Sequence, residues 1–411
     1  MKLVVERSRG LQGTVNAPPS KSHTHRAVLL ASLANGTSTV KNPLLSDDCL
    51  ATIGACGKLG AQIEVGEEVR ITGVDGRPHA PGSGIDVGGS GTTLRLLTAV
   101  CALCEGETVL TGDASVQARP IGPLLRSLME LGAERAESLG GNGRPPVAVM
   151  GKMKGGETAI EGSSSQFLSG LLICCPLLES DSFIEARHVN SRPYVAMTLE
   201  HLERAGVLIG HEGLDRFRIE GGRSYSPGQY TVPGDHSSAA FLRAAAFVTG
   251  SEIRIGGLEE DDIQGDRAIT DVIRDMSSGK AREIDLRDIP DLLPVAAAIG
   301  CHAEGTTVLK NVRHARHKES DRISALCSEL KKLGATIEER PDGLVVSRSK
   351  LKGAAVEGHG DHRIVMALAV AALDAEGSTV IDGAETLSKS YPAFAEDLAR
   401  LGANIRKVPD R

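Results

Sequence analysis

The pattern of polar and apolar positions repeats six times along the chain. Each copy opens with a polar cluster, continues as an Ala- and Leu-rich run, and then shows a glycine followed by a short β-branched segment. A second, amphipathic run follows and usually ends near Leu-Gly-Ala, although the fourth copy lacks this ending. The opening clusters are Pro19–Ser22, Gly89–Thr92, Ser163–Gln166, Gly234–Ser237, Ile289–Asp291 and Gly360–Arg363.

Each repeated signal predicts a particular piece of structure. Ser, Thr and Asp at a helix start cap free backbone N–H groups, and glycine ends a helix in a left-handed turn. The β-branched runs, such as Thr37–Val40 and Thr306–Val308, favour strands. Helices and strands that alternate with this spacing predict an α/β (α+β) protein whose mixed sheets are covered by helices.

The length of each copy argues for two lobes rather than a solenoid. The copies run about 70 residues, whereas solenoid repeats run roughly 20 to 50. A chain of 411 residues is long enough for two or three domains, so two lobes of three copies fit well. Two prolines and a glycine in the segment Tyr225–Pro233 predict a crossing between the lobes. The first predicted strand, residues 2–8, could complete either lobe.

The composition disfavours several classes of function. The net charge is −7, aromatic residues make up 2% and Trp is absent, whereas nucleic-acid binders are usually basic and stack bases on aromatic rings. No signal peptide or apolar run of about 20 residues occurs, so we expect a cytoplasmic protein without nucleic-acid or membrane partners. Cys101 and Cys104 lie in an apolar helical run, which predicts buried free thiols. His314 and His317 lack a suitable acidic companion, so we expect no metal.

Cationic and hydroxyl side chains gather at the predicted helix starts. A helix N-terminus attracts anions through its free N–H groups and partial positive charge. The first helices carry Lys21, Ser22 and Arg26, then the turn Val87–Thr93 with Arg95, then Ser164, Ser165 and Gln166, and finally Asp291, Asp361 and Arg363. The segments before the second helices carry Arg119, Ser191–Tyr194, Lys318–Arg322 and Lys389.

Each of these features alone also has a purely structural interpretation. The glycine turn near Gly91 lacks the spacing of a nucleotide-binding P-loop. The segment Lys318–Arg322 could be a solvated helix start with paired charges, and Arg119 with its following proline could simply begin a helix. Asp291 and the serine cluster could be helix caps.

Taken together, the charged residues predict an enzyme that binds small anions. A net-acidic protein has collected Lys and Arg at equivalent ends of repeated units, whereas cations without a role would be scattered. Arg recognises carboxylates and phosphates through paired hydrogen bonds, and Lys does so as a compact charge. The carboxylates Asp291 and Glu319 belong to the same predicted ends and could serve as base and acid in proton transfer.

At these residues the sequence resembles the 5-enolpyruvylshikimate-3-phosphate synthases, a family of enolpyruvyl transferases, over essentially the whole chain. The motifs occur in the family's order: Pro19–Arg26 (PSKSHTHR), Gly89–Arg95 (GSGTTLR), Arg119–Leu124 (RPIGPL), Ser164–Phe167 (SSQF), Ser191–Tyr194 (SRPY), Gly234–Phe241 (GDHSSAAF), Ile289–Asp291 (IPD), Lys318–Arg322 (KESDR), Asp361–Arg363 (DHR) and Ser388–Pro392 (SKSYP).

The resemblance implies a fold of two lobes, each of three units, that close like a clamp on the substrates. Residues 1–19 and 233–411 would form the first lobe, and residues 20–232 the second. The implied reaction transfers the enolpyruvyl group of phosphoenolpyruvate to the 5-hydroxyl of shikimate 3-phosphate and releases phosphate. No metal or organic cofactor is implied, and we expect a monomer.

The resemblance also implies roles for single residues. Those expected to hold shikimate 3-phosphate are Lys21, Ser22, Arg26, Ser164, Ser165, Gln166, Ser191, Asp291 and Lys318. Those expected to hold phosphoenolpyruvate are Lys21, Gln166, Arg119, Arg322, Arg363 and Lys389, with backbone near Gly91. The expected catalytic residues are Lys21, which would touch both substrates, Asp291 as the base acting on the 5-hydroxyl, and Glu319 as the group that moves the proton at C3.

Three positions depart from the family's pattern, and three alternatives remain. Gly89 stands where many members carry Asn, Leu96 where some carry Pro, and His314 where some carry an Asn that contacts the substrate phosphate.

The nearest alternative, UDP-N-acetylglucosamine enolpyruvyl transferase, has a reactive Cys where this chain has Ala114. A non-catalytic anion-binding repeat protein is disfavoured by the acid–base pair, and an RNA-end-processing enzyme by the acidic charge.

Overall fold

The computed structural model describes residues 1–162, 164–278 and 282–410; Ser163 of the third opening cluster lies outside them. The chain divides into two compact units. Met1–Pro18 and Gly234–Arg411 form one, here called the split unit, and Pro19–Pro233 form the other, the continuous unit.

In the first half of the chain, helices mostly alternate with single strands or with runs of two or three strands. In chain order its elements are β1 (Lys2–Glu6), β2 (Thr14–Asn16), α1 (Lys21–Leu33), β3 (Thr37–Lys41), α2 (Asp47–Lys58), β4 (Gln62–Val65), β5 (Val69–Thr72), β6 (Ile85–Asp86), α3 (Gly91–Cys101), β7 (Glu107–Thr111), α4 (Ala114–Gln117), α5 (Gly122–Glu130), β8 (Arg135–Ser138), β9 (Val147–Met150), β10 (Gly156–Glu161), α6 (Ser165–Cys174), a 3-10 turn (Cys175–Leu177), β11 (Ser182–Arg187), α7 (Arg192–Arg204), β12 (Gly210–Glu212), β13 (Arg216–Ile219) and β14 (Gln229–Thr231).

The second half follows the same alternation, with more 3-10 turns. Its elements are α8 (His236–Thr249), β15 (Arg254–Gly256), a 3-10 turn (Gly265–Ala268), α9 (Ile269–Ser277), β16 (Arg282–Asp285), a 3-10 turn (Pro290–Leu292), α10 (Leu293–Gly300), β17 (Thr306–Lys310), a 3-10 turn (Arg313–His317), α11 (Arg322–Lys332), β18 (Thr336–Arg340), β19 (Gly343–Ser347), β20 (Ala355–Glu357), α12 (His362–Ala372), β21 (Ser378–Asp382), a 3-10 turn (Ala384–Lys389), α13 (Phe394–Arg400) and β22 (Ile405–Val408).

One sheet plan recurs in every repeat but the fourth. An outer strand runs parallel to the strand that follows the first helix; that strand pairs antiparallel with a third, and the third with a fourth. The orders are β14-β3-β5-β4, β6-β7-β9-β8, β10-β11-β13-β12, β16-β17-β19-β18 and β20-β21-β1-β22. The predicted mixed sheets are therefore confirmed. The first strand, β1, completes the sixth repeat, where it pairs with β21 and β22.

The fourth repeat has a reduced sheet. Within the described residues, β15 pairs with β2 alone, in parallel, to give two strands. No hairpin lies between α9 and β16 in the described part of the chain. This explains why the fourth copy lacks Leu-Gly-Ala, because that signal ends a second helix and leads into a hairpin in the other copies.

The predicted stop and start signals lie at the helix ends. The glycine after the second helix has a positive φ at Gly60, Gly132, Gly206, Gly334 and Gly402, the left-handed conformation that ends helices. Side-chain caps accept N–H bonds at Ser20, Ser90, Ser164, Asp235 and Asp361. The capping interpretation of Asp291 is wrong, because this residue lies in a 3-10 turn and its carboxylate accepts from Arg322 instead.

Buried first helices form the centre of each unit. In the split unit α8, α10 and α12 pack on one another, and in the continuous unit α3 packs on α6. Helices that are apolar all round suit such a position, and each unit has its own apolar core. The eight cysteines are buried and free, which confirms the interpretation of Cys101 and Cys104. No helix of the described residues is long and apolar enough to span a membrane.

Candidate active site

A compact group of opposite charges lies at the helix starts of the split unit. We call it the Asp291 cluster; it comprises Asp291, Lys318, Glu319, Arg322, Asp361 and Arg363. Its centre is Arg322, whose side chain is 1% exposed. The guanidinium donates through Nη1 to Asp291 Oδ1 at 2.7 Å, through Nη2 to Glu319 Oε2 at 2.7 Å and through Nε to Asp361 Oδ2 at 2.8 Å. One buried cation thus fixes three carboxylates.

Asp291 lies among three cations. Besides Arg322, its carboxylate is 3.2 Å from Arg363 Nη2 and 3.5 Å from Lys318 Nζ. Burial alone would raise the pKa of Asp291, but the charges of Arg363, Lys318 and Arg322 outweigh burial and hold this pKa well below its ordinary value. Asp291 is therefore a carboxylate at neutral pH.

Helix starts position the cations of the cluster. Arg322 is the first residue of α11, whose cap is Asp321, and Arg363 is the second residue of α12, whose cap is Asp361. Lys389 ends a 3-10 turn and donates to the carbonyl of Gly360 at 3.1 Å, just before the same helix start. The structure therefore brings all predicted residues of the split unit to two neighbouring helix starts.

A further buried carboxylate, Asp266, was missed by the sequence reasoning. It is fully buried in the 3-10 turn before α9, and its Oδ2 accepts from Ser237 Oγ at 2.5 Å, while its Oδ1 has no hydrogen-bond partner among the described residues. Burial, followed by the negative charge of Asp291, raises the pKa of Asp266 to about 7, against the opposing effects of Arg363 and Ser237. Its position in the sequence could have indicated it, because Asp266 lies just before the second helix of the fourth repeat. The equivalent segments of other repeats carry the candidate residues Arg119 and Lys318.

We expect Asp266→Asn to stabilise the protein increasingly as pH rises from about 4 to about 7. Because the folded-state pKa is raised, the stability contribution of Asp266 is complete below the unfolded pKa of 3.8 and is lost as pH rises toward 7. The difference in unfolding free energy should reach on the order of 4 kcal/mol and then level off. Urea unfolding of both proteins across this range measures it. A constant difference would show that Asp266 is already ionised at low pH.

His314 lies beside the Asp291 cluster as a neutral imidazole. Burial and then the charge of Lys318 lower the pKa of His314 to about 4, although Asp291 opposes them. Its Nε2 is buried without a hydrogen-bond partner among the described residues. Within these residues there is no group of three or more His, Cys, Asp or Glu side chains that could hold a metal ion.

In the continuous unit, Lys21 pairs with a carboxylate that the sequence reasoning did not single out. Lys21 Nζ lies 2.8 Å from Asp48 Oδ2, and the two side chains are 13% and 6% exposed. The carbonyl of Asp48 accepts from Thr93 Oγ1 at 3.2 Å, which connects this pair to the glycine turn before α3. A buried ammonium held in this way keeps a fixed direction and little hydration.

Arg26, in α1, is a buried cation that joins its own helix to α7. Its guanidinium donates to Thr198 Oγ1 at 2.8 Å, to the carbonyl of Tyr194 at 2.9 Å and to the carbonyl of Ser22 at 3.0 Å. Burial lowers the pKa of Arg26 to about 10, so that it still carries its charge at neutral pH. Ser191, next to this group, has a left-handed backbone and makes no side-chain capping bond to α7. Such backbone strain is concentrated at functional sites.

The glycine turn contacts Arg119 directly. A Cβ built on Gly91 would overlap Arg119 Nη1. Arg119 is buried, donates to Ser115 Oγ at 2.9 Å, and has an Nε atom without a hydrogen-bond partner among the described residues. Because only glycine leaves room for this guanidinium, the turn and the arginine form one site.

We expect Gly91→Ala to lower kcat/KM for an anionic substrate held by Arg119 by about 10- to 100-fold, since the added methyl group must displace the guanidinium. Steady-state kinetics with phosphoenolpyruvate, the anion that the sequence resemblance leads us to expect at Arg119, as the varied substrate would measure this loss. Gly57→Ala is the matched control, because a Cβ at that helical position meets no atom within 4 Å. Equal kinetics in both variants would mean that the position of Arg119 does not matter.

Gln166 bridges the first helices of the second and third repeats. Its Oε1 accepts from Arg95 Nη1 at 2.7 Å and its Nε2 donates to Thr92 Oγ1 at 2.7 Å. Ser164 caps the same helix, α6, and Ser165 is its first residue. In the continuous unit the structure therefore links Gln166 to the glycine turn. The turn is linked in its own right to Lys21, because Thr93 contacts Asp48 and Asp48 pairs with Lys21.

Comparison with known proteins identifies what this arrangement resembles. The sequence model of the EPSP synthase family, 3-phosphoshikimate 1-carboxyvinyltransferase, matches residues 5–398. A protein of that name from Methanothrix thermoacetophila is 50% identical to this chain, and the alignment covers 98% of this chain and 99% of the relative. Another, from Acetivibrio thermocellus, is 45% identical, with 98% of this chain and 99% of the relative aligned. The solved EPSP synthase of Acinetobacter baumannii superposes with a TM-score of 0.83 at 27% identity, covering 98% of this chain and 99% of that one.

Proposed function

The chain belongs to the EPSP synthase family, and on that premise we propose which residues carry out its reaction. The chain is a transferase of the shikimate pathway: it moves the enolpyruvyl group of phosphoenolpyruvate to shikimate 3-phosphate and releases phosphate. Each substrate carries a carboxylate and a phosphate, so two substrates require several cations in fixed positions. What remains to be assigned is the role of each cation and carboxylate.

We assign phosphoenolpyruvate to Arg322, Arg363 and Lys389 of the split unit and to Arg119 and the Gly91 backbone of the continuous unit. The Gly91–Arg119 contact and the convergence of the other three on the start of α12 support this assignment. Charge develops at C2 and on the leaving phosphate, where fixed cations stabilise the transition state most.

We assign shikimate 3-phosphate to hydroxyls and cations near the first helices. In the continuous unit these are Lys21, Ser22, Arg26, Ser164, Ser165, Gln166 and Ser191, and in the split unit Asp291 and Lys318. His314 takes the place of the Asn that some members use for the phosphate. Its buried, unbonded Nε2 could carry the hydrogen of a neutral imidazole and donate it to a phosphate oxygen.

Asp291 is the proposed base for the 5-hydroxyl, and the Asp291 cluster is the single observation that carries the mechanism. A carboxylate with a strongly lowered pKa is a weak base. When phosphoenolpyruvate binds Arg322 and Arg363, its negative charges offset theirs, so that the pKa of Asp291 should rise toward a useful value. Glu319, held by Arg322 at 2.7 Å, is the proposed group that moves the proton at C3. Lys21 is the proposed contact with both substrates.

A direct assay tests the function against its nearest alternative. Phosphate release from phosphoenolpyruvate should require shikimate 3-phosphate and should not occur with UDP-N-acetylglucosamine. Ala114 begins α4 where the alternative family has its reactive cysteine, and the eight cysteines of this chain are buried elsewhere. Activity with the sugar nucleotide alone would overturn the function, and activity with neither acceptor would favour a binding protein.

We expect Lys21→Ala to lower kcat/KM by at least about 100-fold, because a cation that contacts both substrates is lost. The loss of the Lys21–Asp48 pair could by itself disturb the helix start. Asp48→Asn separates the two causes, since it breaks the ion pair but keeps the lysine. Steady-state rates that fall equally in both variants would assign Lys21 a structural role, whereas a much smaller loss in Asp48→Asn supports substrate contact.

A further inference from the structure

The turn between β20 and α12 contains a residue in an unfavourable backbone conformation. β20 ends at Glu357 and α12 is capped by Asp361, so Gly358, His359 and Gly360 form the turn. The φ angles of His359 and Gly360 are 50° and 67°, in the left-handed region where a Cβ atom crowds the backbone. Glycine adopts this conformation without that crowding, so a histidine here indicates that its side chain makes a contact that glycine could not make.

The side chain of His359 contacts Glu329, a residue in the second half of α11. Its Nε2 donates to Glu329 Oε1 at 3.0 Å, and the backbone N–H of Glu357 donates to Glu329 Oε2 at 2.9 Å. Lys332 Nζ donates to both carboxylate oxygens at 2.8 and 2.7 Å, and Ser328 Oγ donates to Oε1 at 2.9 Å. One carboxylate of α11 thus holds two residues of the segment that leads into α12.

Glu329 is a buried carboxylate, and its contacts explain why it can be buried. Its side chain is 1% exposed, and a buried charge is unfavourable unless hydrogen bonds replace its lost hydration. Burial alone would raise the pKa of Glu329, but its hydrogen bonds, that from Lys332 above all, lower this pKa to about 2, so the group is ionised at neutral pH. Lys332 and Ser328 belong to α11 itself, so the connection to another part of the chain runs through Glu357 and His359.

The end of this turn leads to the cations assigned to phosphoenolpyruvate. The carbonyl of Gly360 accepts from Lys389 Nζ at 3.1 Å, and Asp361 Oδ2 accepts from Arg322 Nε at 2.8 Å. Arg363 is the second residue of α12. A displacement of the turn would therefore move both the carbonyl that holds Lys389 and the helix start that carries Arg363.

Two contacts with α11 fix the start of α12. Arg322 begins α11 and holds Asp361, whereas Glu329 lies about two helical turns further along and holds His359. The first contact alone would fix the position of the helix start but would leave the preceding turn free to rotate about it. Two contacts on one rigid helix remove that freedom, so the contact with Glu329 determines the direction in which the chain enters α12.

We propose that Glu329 and His359 are positioning residues for the phosphoenolpyruvate site. They hold the turn before α12 so that Lys389 and Arg363 keep the separation and direction that a bound carboxylate and phosphate require. They do not contact the substrate and act through these two cations. The inference rests on the proposed assignment of phosphoenolpyruvate to Arg363 and Lys389, and it extends that site to a carboxylate in the second half of α11.

Substitution of Glu329 and His359 in the full-length protein tests this role. Glu329→Gln keeps the size of the side chain but removes its charge and one acceptor oxygen, and His359→Asn suits a left-handed backbone but is too short to reach Glu329. Each should raise the KM for phosphoenolpyruvate about tenfold and change the KM for shikimate 3-phosphate less than about twofold, because only the phosphoenolpyruvate cations are misplaced. The double variant should be no worse than the more affected single variant, since both changes break one contact.

A conservative variant and a matched control separate positioning from general damage. His359→Gln places an amide N–H near the position of the imidazole Nε2 and should bring the KM for phosphoenolpyruvate back to within about twofold of the original. His302→Asn makes the same change at the other end of α12, where His302 Nε2 contacts the carbonyl of Ala371 at 3.2 Å, and should leave both KM values unchanged.

Three outcomes would overturn the inference: an unchanged KM for phosphoenolpyruvate in Glu329→Gln and His359→Asn, a parallel rise of both KM values, or no recovery in His359→Gln. The proposed function is judged separately, on the unchanged chain, by whether phosphate release requires shikimate 3-phosphate. Absence of that activity would refute the proposed function and the inference with it. An active unchanged chain whose variants keep the original KM for phosphoenolpyruvate would refute the positioning role alone.

Discussion

Asp291→Asn should lower kcat by about 100- to 10,000-fold, the range that a positioned general base contributes. The substitution keeps the shape of the side chain and one acceptor oxygen for Arg322, but it removes the ability to take a proton from the 5-hydroxyl. It also leaves Lys318 and Arg363 with one negative charge fewer nearby, so the affinity for phosphoenolpyruvate should be kept or increased. Single-turnover phosphate release with both substrates, together with phosphoenolpyruvate binding, measures the two effects separately.

The matched control for this variant is Asp285→Asn. Asp285 ends β16 six residues earlier and is exposed, so the same chemical change there should leave kcat near its original value. The cations lower the pKa of Asp291 well below its ordinary value, so kcat/KM should show no loss from protonation of Asp291 at pH values above about 4. A near-normal rate in Asp291→Asn would remove this carboxylate from proton transfer.

Local signals were the part of the fold that could be predicted from the sequence. Gly334 and Gly402 stop helices because the left-handed turn favours glycine, and Asp361 caps α12 because its side chain accepts from the backbone N–H of Arg363 in the first turn. These causes act within a few residues, so they recur in each repeat and can be recognised there. The destination of β1, which pairs with β21 at the far end of the chain, is a tertiary choice that its own residues do not encode.

The charged residues of the candidate site could be named from the sequence, but the pairing of cations with carboxylates could not. Lysines and arginines at helix starts are visible in the sequence, but their carboxylate partners are chosen by packing across long separations. Asp48 lies 27 residues from Lys21, and Asp361 lies 39 from Arg322. Asp291 illustrates the limit, because its position after a proline favours a cap, while the buried guanidinium of Arg322 and the 3-10 turn direct it into the cluster.

Arg322→Met should destabilise the split unit by about 3 to 5 kcal/mol, the cost of breaking a buried ion pair by removing one partner. Methionine fills much of the volume but leaves Asp361, Glu319 and Asp291 without their shared cation. Asp361 is completely buried, so its charge cannot be hydrated in compensation. Burial alone would lower the pKa of Arg322, yet Asp361, Glu319 and Asp291 raise it well above its ordinary value. Equilibrium urea unfolding, followed by circular dichroism, measures the loss.

Two comparisons show whether this loss comes from burial of the cluster. Arg340→Met removes a half-exposed arginine that lies 3.9 Å from Glu338 and should cost less than about 1 kcal/mol, as surface pairs do. Adding Asp361→Leu to Arg322→Met should destabilise less than the sum of the two single changes, because the uncompensated buried carboxylate is removed with its partner. If the effects were additive, or if Arg322→Met cost no more unfolding free energy than Arg340→Met, the buried carboxylates would not need Arg322 to offset their charge. The cation proposed to orient Asp291 for catalysis would then contribute nothing to holding the helix starts of α11 and α12 together.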